Sequence, residues 1–293
     1  MPLYSQATSV GSGRRRAILV IAHPGHELRV HGWLEIAIPE VWILTDGSGR
    51  TSRSRIDSTT RVLKAIGALP GPVYGQMSDA DLYHAVLTFD HRRFKDLVDQ
   101  LAAALIRDRV ECIAGDGAEG YNPAHDICRL VINAAIKLVK CRTSKQPLNY
   151  DFTLVGTPSR CSEEPSSQSL WLNLDDASFA RKLSAARNYP ELQAEVASAL
   201  LGIGNEPFRQ HADLVERAHA TFGVTELSNF RVECLRLINS DSESNPSFKD
   251  DVPFYEEYGE RQVRAGHYQH VLRYSEHILP LAAALDSHVE RSS

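Results

Sequence analysis

Short apolar runs of strand character alternate with segments of helical periodicity along the first half of this chain. The strand-like runs are Ala17 to Ala22, Val41 to Leu44, Val110 to Gly115 and Asn149 to Gly156. Runs that are apolar at nearly every position are typical of strands buried on both faces, and strands separated by helices are typical of βαβ units. The sequence therefore predicts an α/β, Rossmann-like fold with a mostly parallel sheet flanked by helices.

The helical segments and the second half of the chain complete this prediction. Gly67 and Pro123 have the residue types of a helix end and of a first helical turn. We expect helices at 27–36, 57–66, 79–87, 94–107 and 127–139 and a short strand at 73–74, then loops at 158–169 and 239–246, helices at 179–186, 191–201, 208–220, 255–262 and 268–285, and a late strand at 230–235. The predicted organisation is one domain, 1–293, in which the core spans 14–157 and residues 158–293 form a loop insertion, the late strand and a helical C-terminal extension.

Composition and charge narrow the class of protein. The 293 residues are 43% hydrophobic and 24% charged, as in ordinary globular proteins, and the net charge of -5 argues against a nucleic-acid surface. The five cysteines are odd in number and form no CxxC pair, which supports neither a disulfide framework nor a cysteine zinc site. No apolar stretch approaches the length of about 20 residues that spans a bilayer, and no secretory signal is evident, so we expect a cytoplasmic protein without a membrane span.

Histidines follow two of the predicted strands at the point where each strand ends. The first strand runs into His23-Pro24-Gly25-His26-Glu27, and His125 follows the strand at 110–115. Open parallel sheets bind ligands at the carboxyl ends of their strands, and imidazole is the commonest metal ligand. Three protein ligands and a water form the usual catalytic zinc site, so His23, His26 and His125 are predicted to bind a metal.

These residues also carry a family resemblance. Ala22-His23-Pro24-Gly25-His26-Glu27, then Thr45-Asp46-Gly47, then Asn122-Pro123-Ala124-His125 resemble, in order and spacing, the PIG-L/LmbE-like zinc-dependent N-deacetylases. The two signatures of that family read Ala-His-Pro-Asp-Asp-Glu and His-Pro-Asp-His, and the resemblance covers about residues 16 to 156. It implies a Zn²⁺ cofactor, with another divalent transition metal as the alternative, and it matches His23 and His125 to zinc ligands of the family.

The sequence departs from the family pattern at three functional positions. His26 stands where the family has an aspartate ligand, Gly25 where it has its general-base aspartate, and Asn122 where it has a histidine that stabilises the oxyanion. Three imidazoles leave zinc with its full charge, so a bound water should ionise more readily. Asn122 can still donate an amide N–H to a developing oxyanion.

Three nearby carboxylates could replace the missing base. We predict that one of Asp126, Asp116 and Asp46 accepts the proton, and Asp126 and Asp116 are preferred because of their placement after the strand at 110–115. Two alternatives stay open. Asp126 could instead complement the dipole of a helix that starts at Pro123, and Asp46 could belong only to a turn.

The predicted function is that of a metal-dependent hydrolase. The resemblance implies a zinc-dependent N-deacetylase or amidase that uses metal-bound hydroxide on an N-acylated amino-sugar-like or other small molecule. One alternative is a divergent metalloenzyme of the same fold with a different metal or reaction, since three imidazoles also suit iron, copper or nickel. Another is a non-catalytic scaffold that has lost the general base.

Overall fold

The computed structural model describes residues 16–49, 53–156, 169–193, 227–238 and 252–292. The strands are β1 (Ala17–Ile21), β2 (Glu40–Thr45), β3 (Leu69–Met77), β4 (Cys112–Asp116), β5 (Leu148–Phe152), β6 (Leu170–Asn173) and β7 (Val232–Leu237). The α-helices are α1 (His31–Ala37), α2 (Ile56–Ile66), α3 (Asp79–Leu87), α4 (His91–Arg107), α5 (Pro123–Arg142), α6 (Asp176–Arg187), α7 (Phe254–Arg264) and α8 (Leu279–Ser292). Short 3-10 turns cover His26–Val30, Pro190–Leu192 and Leu227–Arg231, and a π-helical turn covers Tyr274–Ile278.

The strands form one sheet in the order β3-β2-β1-β4-β5-β7-β6. The first five are parallel, and β7 and β6 add antiparallel strands at one edge. This arrangement confirms the predicted α/β class with a mostly parallel sheet. The chain leaves β1 towards β2 and later returns to the other side of β1 with β4, so the ends of β1 and β4 flank the switch point of the sheet, where open α/β folds bind ligands.

Both faces of the sheet are covered. Along β1, Ile18 and Val20 pack into a core with α4, α5 and α8, whereas Leu19 and Ile21 pack into a second core that includes α1 and α2. Alternating side chains of β1 therefore enter two different cores, which explains why the strand is apolar at every position. Of the C-terminal helices, α8 packs against α4 and α5 on this side of the sheet.

Several predicted boundaries differ from the structure. Strand β5 ends at Phe152 because residues 153–156 turn away, whereas β3 is much longer than predicted at 73–74. Helix α2 begins at Ile56, one residue before the predicted start at 57, and no predicted strand corresponds to β6. The segment 268–285 is not one helix, since the π turn at 274–278 precedes α8. The predicted helix at 208–220, most of that at 191–201, the predicted loop at 239–246 and all but the last residue of the predicted loop at 158–169 lie outside the described residues.

Two further expectations concern cysteines and membranes. Cys112, Cys128, Cys141 and Cys234 form no disulfide among the described residues, and Cys161 lies outside them. Among the helices that the structure describes, none is both long and apolar enough to cross a bilayer.

Candidate metal centre

Three imidazoles meet at the switch point of the sheet. His23 and His26 follow β1 and His125 lies in the first turn of α5, and their ring centres are 5.2 Å (His23 to His26), 5.5 Å (His23 to His125) and 4.6 Å (His26 to His125) apart. Three imidazoles around one tetrahedral zinc ion would have ring centres about 5 Å apart. The structure thus brings together the three histidines predicted as metal ligands.

Hydrogen bonds from neighbouring strand ends orient two of these rings. His26 Nδ1 lies 2.9 Å from Asp116 Oδ2, and His23 Nδ1 lies 2.9 Å from Asp79 Oδ1 and 2.8 Å from Thr45 Oγ1. A neutral imidazole that donates from Nδ1 to a carboxylate keeps its Nε2 lone pair free, which is the usual support for a metal-binding histidine.

Buried ring nitrogens without partners are the second sign of a ligand site. His23 Nε2 and His125 Nδ1 are buried, and neither has a hydrogen-bond partner in the part of the chain that the structure describes. A buried polar atom is normally hydrogen-bonded, so an unpaired one calls for an explanation such as an ion. As the side chains stand, however, no group of three His, Cys, Asp or Glu residues in the described ranges meets the geometry of a metal site.

Burial favours the neutral forms of His26 and His125. Burial lowers the pKa of His26, although the neighbouring Asp116 opposes this shift. Burial, reinforced by the other two histidines, lowers the pKa of His125 well below its usual value. Metal ions bind the neutral form of histidine, so the residue types, the burial and the orienting carboxylates fit a zinc ion.

The predicted proton acceptors lie in different surroundings. Asp116 is fully buried, and its Oδ2 accepts hydrogen bonds from His26 Nδ1 and, at 2.7 Å, from the backbone N–H of Ala22, while Oδ1 is buried without a partner in the described ranges. Asp126 Oδ1 instead accepts the backbone N–H groups of Glu119 and Gly120, and burial raises the pKa of Asp126 to about 7. Asp116 is thus the predicted acceptor that is hydrogen-bonded to one of the three histidines.

The other two predicted residues have local contacts. Asp46 Oδ1 accepts the backbone N–H of Ser48 at 2.9 Å, which is the contact expected if Asp46 belongs to a turn. Asn122 Oδ1 caps α5 through the N–H of Ala124 at 2.9 Å and also accepts the Tyr83 hydroxyl at 3.1 Å. Because two donors occupy the carbonyl oxygen, the amide NH₂ of Asn122 is the group left to donate to a substrate. The roles of all four residues stay predictions.

Gly25 has little room for a side chain. It has a φ of 107°, and a Cβ atom built on it would lie 2.6 Å from Leu192 Cδ1. The position that carries the general base in the resembling family is thus covered by Leu192, from a segment that follows α6.

Sequence reasoning missed Asp79 as a partner of His23. Burial would raise the pKa of Asp79, but hydrogen bonds from His23 and Thr45 outweigh it and hold the pKa well below its usual range. Asp79 opens α3 directly after β3, so its position at a strand end was the available signal. This signal could be used only if the C-terminal end of β3 was known, and the sequence predicted no more than a short strand at 73–74.

The fold and the site together define an α/β protein with a three-histidine cluster at the switch point of its sheet. No protein-family model matches the chain, and no curated protein matches it. Among solved structures, a conserved protein from Thermus thermophilus is similar, with a TM-score of 0.43 and 15% identity over 78% of this chain and 97% of that chain.

Two deacetylase structures are also similar. The A40926 pseudoaglycone deacetylase has a TM-score of 0.46 and 16% identity over 79% of this chain and 100% of that chain. A deacetylase of the teicoplanin biosynthesis pathway has a TM-score of 0.46 and 14% identity over 78% of this chain and 100% of that chain. The strand order and directions, rather than these low identities, define the α/β class of this chain.

Proposed function

We propose that the chain is a zinc-dependent hydrolase that cleaves an amide bond, as an N-deacetylase of an N-acylated amino-sugar-like or other small molecule. The cluster of His23, His26 and His125 carries this proposal, because its rings are 4.6 to 5.5 Å apart at the ligand-binding edge of the sheet. The amide class of substrate comes from the resemblance of the two histidine motifs and their spacing.

The residues around the cluster have separate tasks in this proposal. Zinc would supply a positive charge that acidifies water and polarises the amide carbonyl. Asp116 and Asp79 fix the orientation of His26 and His23 through their Nδ1 atoms. The Asn122 amide NH₂ would donate to the oxygen that gains negative charge when the carbonyl is attacked.

The proton acceptor is proposed to be Asp116, with Asp126 and Asp46 as the alternatives. Asp116 is hydrogen-bonded to His26, and its Oδ1 has no other partner within the described residues. Gly25 itself carries no carboxylate. Replacing each aspartate in turn by asparagine and measuring turnover in zinc-loaded protein should give the largest loss for Asp116, and equal rates for all three variants would contradict this assignment.

Metal analysis combined with an activity panel tests the function itself. We expect the purified protein to hold one zinc per chain and to release acetate from at least one member of a panel of N-acetylated amino sugars. His26→Ala and His125→Ala should lose both properties. His288→Ala is the matched control, because His288 Nε2 also contacts a carboxylate, Asp99 Oδ2, at 3.0 Å but lies on α8.

The outcomes separate the proposal from its alternatives. Binding of iron, copper or nickel in preference to zinc would favour a different reaction on the same fold. Protein that binds no metal, or that binds zinc without turning over any member of the panel, would favour a non-catalytic scaffold. Loss of zinc in His288→Ala equal to that in His26→Ala would show that the assay does not report on the cluster.

A further inference from the structure

A buried chain of hydrogen bonds leads away from the turn that carries His23 and His26. Glu27 Oε2 accepts the backbone N–H of Gly25 at 2.7 Å, and Glu27 Oε1 accepts the hydroxyl of Thr59 at 2.8 Å. Thr59 Oγ1 lies 2.8 Å from the hydroxyl of Tyr189. Glu27, Thr59 and Tyr189 are each 0% exposed, so water does not replace these contacts.

Thr59 occupies the centre of this chain. Its one hydroxyl proton is donated to Glu27, so its oxygen accepts the proton of the Tyr189 hydroxyl. A side chain without a hydroxyl would leave Glu27 Oε1 without its donor and would leave the Tyr189 hydroxyl with only the Arg55 carbonyl, at 3.3 Å, which is unfavourable. The position therefore needs a group that donates and accepts at once.

Tyr189, at the far end of this chain of hydrogen bonds, belongs to the segment that covers Gly25. Tyr189 precedes the 3-10 turn Pro190–Leu192, and Leu192 Cδ1 lies against Gly25. The same segment is tied to α2 a second time, because the Ser58 hydroxyl donates to Glu191 Oε2 at 2.6 Å. Helix α2 thus holds both the histidine turn, through Glu27, and the segment that covers it.

We infer that Glu27, Thr59 and Tyr189 are positioning residues, which fix the backbone of the His23 to His26 turn and join it to the covering segment Tyr189 to Leu192. This inference rests on the proposed zinc site. The two histidines are three residues apart, and the amide of Gly25 between them is fixed by Glu27. If that anchor is weakened, the two imidazoles lose their relative orientation and zinc should bind less tightly.

Zinc affinity measured by competition with a chromophoric chelator tests the inference. Thr59→Val should bind zinc at least about tenfold more weakly than the wild type, in the range found for outer-shell partners of metal ligands. Thr59→Ser keeps the hydroxyl and should bind zinc as the wild type does. Tyr189→Phe removes the last hydroxyl of the chain and should have a smaller effect than Thr59→Val.

The next residue of the same helix provides a matched control. Thr60 Oγ1 also has two hydrogen bonds, to the Ile56 carbonyl at 2.8 Å and to the Tyr74 hydroxyl at 3.0 Å, but Thr60 is exposed. Thr60→Val and Tyr74→Phe should leave zinc affinity unchanged. Circular dichroism of each variant checks that the fold is retained, and Tyr189→Phe serves as the test if Thr59→Val does not fold.

The failures of the inference and of the proposed function are distinguishable. A wild-type chain that binds no zinc overturns the proposed function and this inference with it. A wild-type chain that binds zinc, with a folded Thr59→Val that binds it equally well, overturns the inference alone. Equal losses in Thr59→Val and Thr60→Val would also overturn it, because the effect would then be a general one on α2.

Discussion

The two strand ends that form the site are held in different ways. After β1, the turn from His23 to His26 is shaped by side chains distant in sequence, among them Asp79, Thr45 and Leu192. After β4, the segment that leads to His125 is shaped mainly by itself, since Asn122 caps its own helix and Asp126 binds the N–H groups of Glu119 and Gly120. Asp116 joins the two ends through Ala22 and His26.

The β4 end is thus shaped by a local motif, whereas the shape of the β1 end depends on tertiary contacts. A helix cap or a carboxylate that binds a nearby loop can form as soon as its own segment folds. The turn after β1 reaches its shape only when α2, α3 and the segment after α6 are in place. Substitutions at the two ends should therefore differ in size and in the property that they change.

The largest effect on stability is expected for Gly25→Asp. The φ of 107° is unfavourable for any residue with a Cβ, and the new atom would lie 2.6 Å from Leu192 Cδ1. Strain and overpacking together should lower the free energy of unfolding by about 3 kcal/mol, measured by chemical denaturation. Restoring an aspartate here is thus not a simple return to the pattern of the resembling family.

Two variants separate the causes of this loss. Gly67 also has a positive φ, of 83°, but a Cβ there would meet nothing within 4 Å, so Gly67→Asp reports the backbone strain alone. Gly25→Asp with Leu192→Ala removes the contact and should be less destabilised than the two substitutions added together. If Gly25→Asp loses no more stability than Gly67→Asp, Leu192 does not constrain the turn.

A smaller effect, on zinc binding, is expected for Asp79→Asn. Asp79 Oδ1 is 2.9 Å from His23 Nδ1, and an amide is a weaker acceptor for an imidazole N–H than a carboxylate. We expect zinc affinity to fall about tenfold or more, which corresponds to about 1.4 kcal/mol. Asp81→Asn is the control, because Asp81 lies on the same helix and, among the described residues, its carboxylate forms hydrogen bonds only within the capping box of α3. Unchanged zinc affinity in Asp79→Asn would show that His23 needs no distant support.

The same contrast explains which features the sequence could predict. The end of α2 at Gly67 and the start of α5 at Pro123 follow from local backbone chemistry, and both match the structure. The three histidines were found because parallel strands place their carboxyl ends at one edge. Asp79 and Leu192 were missed because their roles depend on distant packing, and β6 was missed because its four residues carry too short a pattern.

A pH-dependent change in stability is expected from Glu119, which lies on the segment that follows β4. Glu119 accepts the backbone N–H groups of Leu154 and Val155, yet burial raises its pKa from an ordinary 4.5 to about 8. Because the folded state binds this proton more tightly than the unfolded state, the stabilisation is complete below pH 4.5 and is lost as the pH rises through about 8.

Glu119→Gln should remove this loss. The variant should become more stable relative to the wild type as the pH rises from 5 to 9, which chemical denaturation at each pH measures. Glu111→Gln, at an exposed glutamate before β4, should follow the wild-type profile. Parallel profiles for Glu119→Gln and the wild type would contradict the raised pKa.

The smallest effect is expected for Asn122→Ala, at the most local contact of the site. Loss of the cap on α5 should lower the free energy of unfolding by about 1 kcal/mol, whereas Asn122→Asp keeps a capping oxygen and should change it by less than about 0.5 kcal/mol. Neither variant should weaken zinc binding as Asp79→Asn does, because the backbone of α5 continues to hold His125 when one cap is lost. If Asn122→Ala weakened zinc binding as much as Asp79→Asn, the β4 end would depend on its hydrogen bonds as strongly as the β1 end does. The Tyr83 hydroxyl, which reaches Asn122 from α3, would then be the distant contact to remove next.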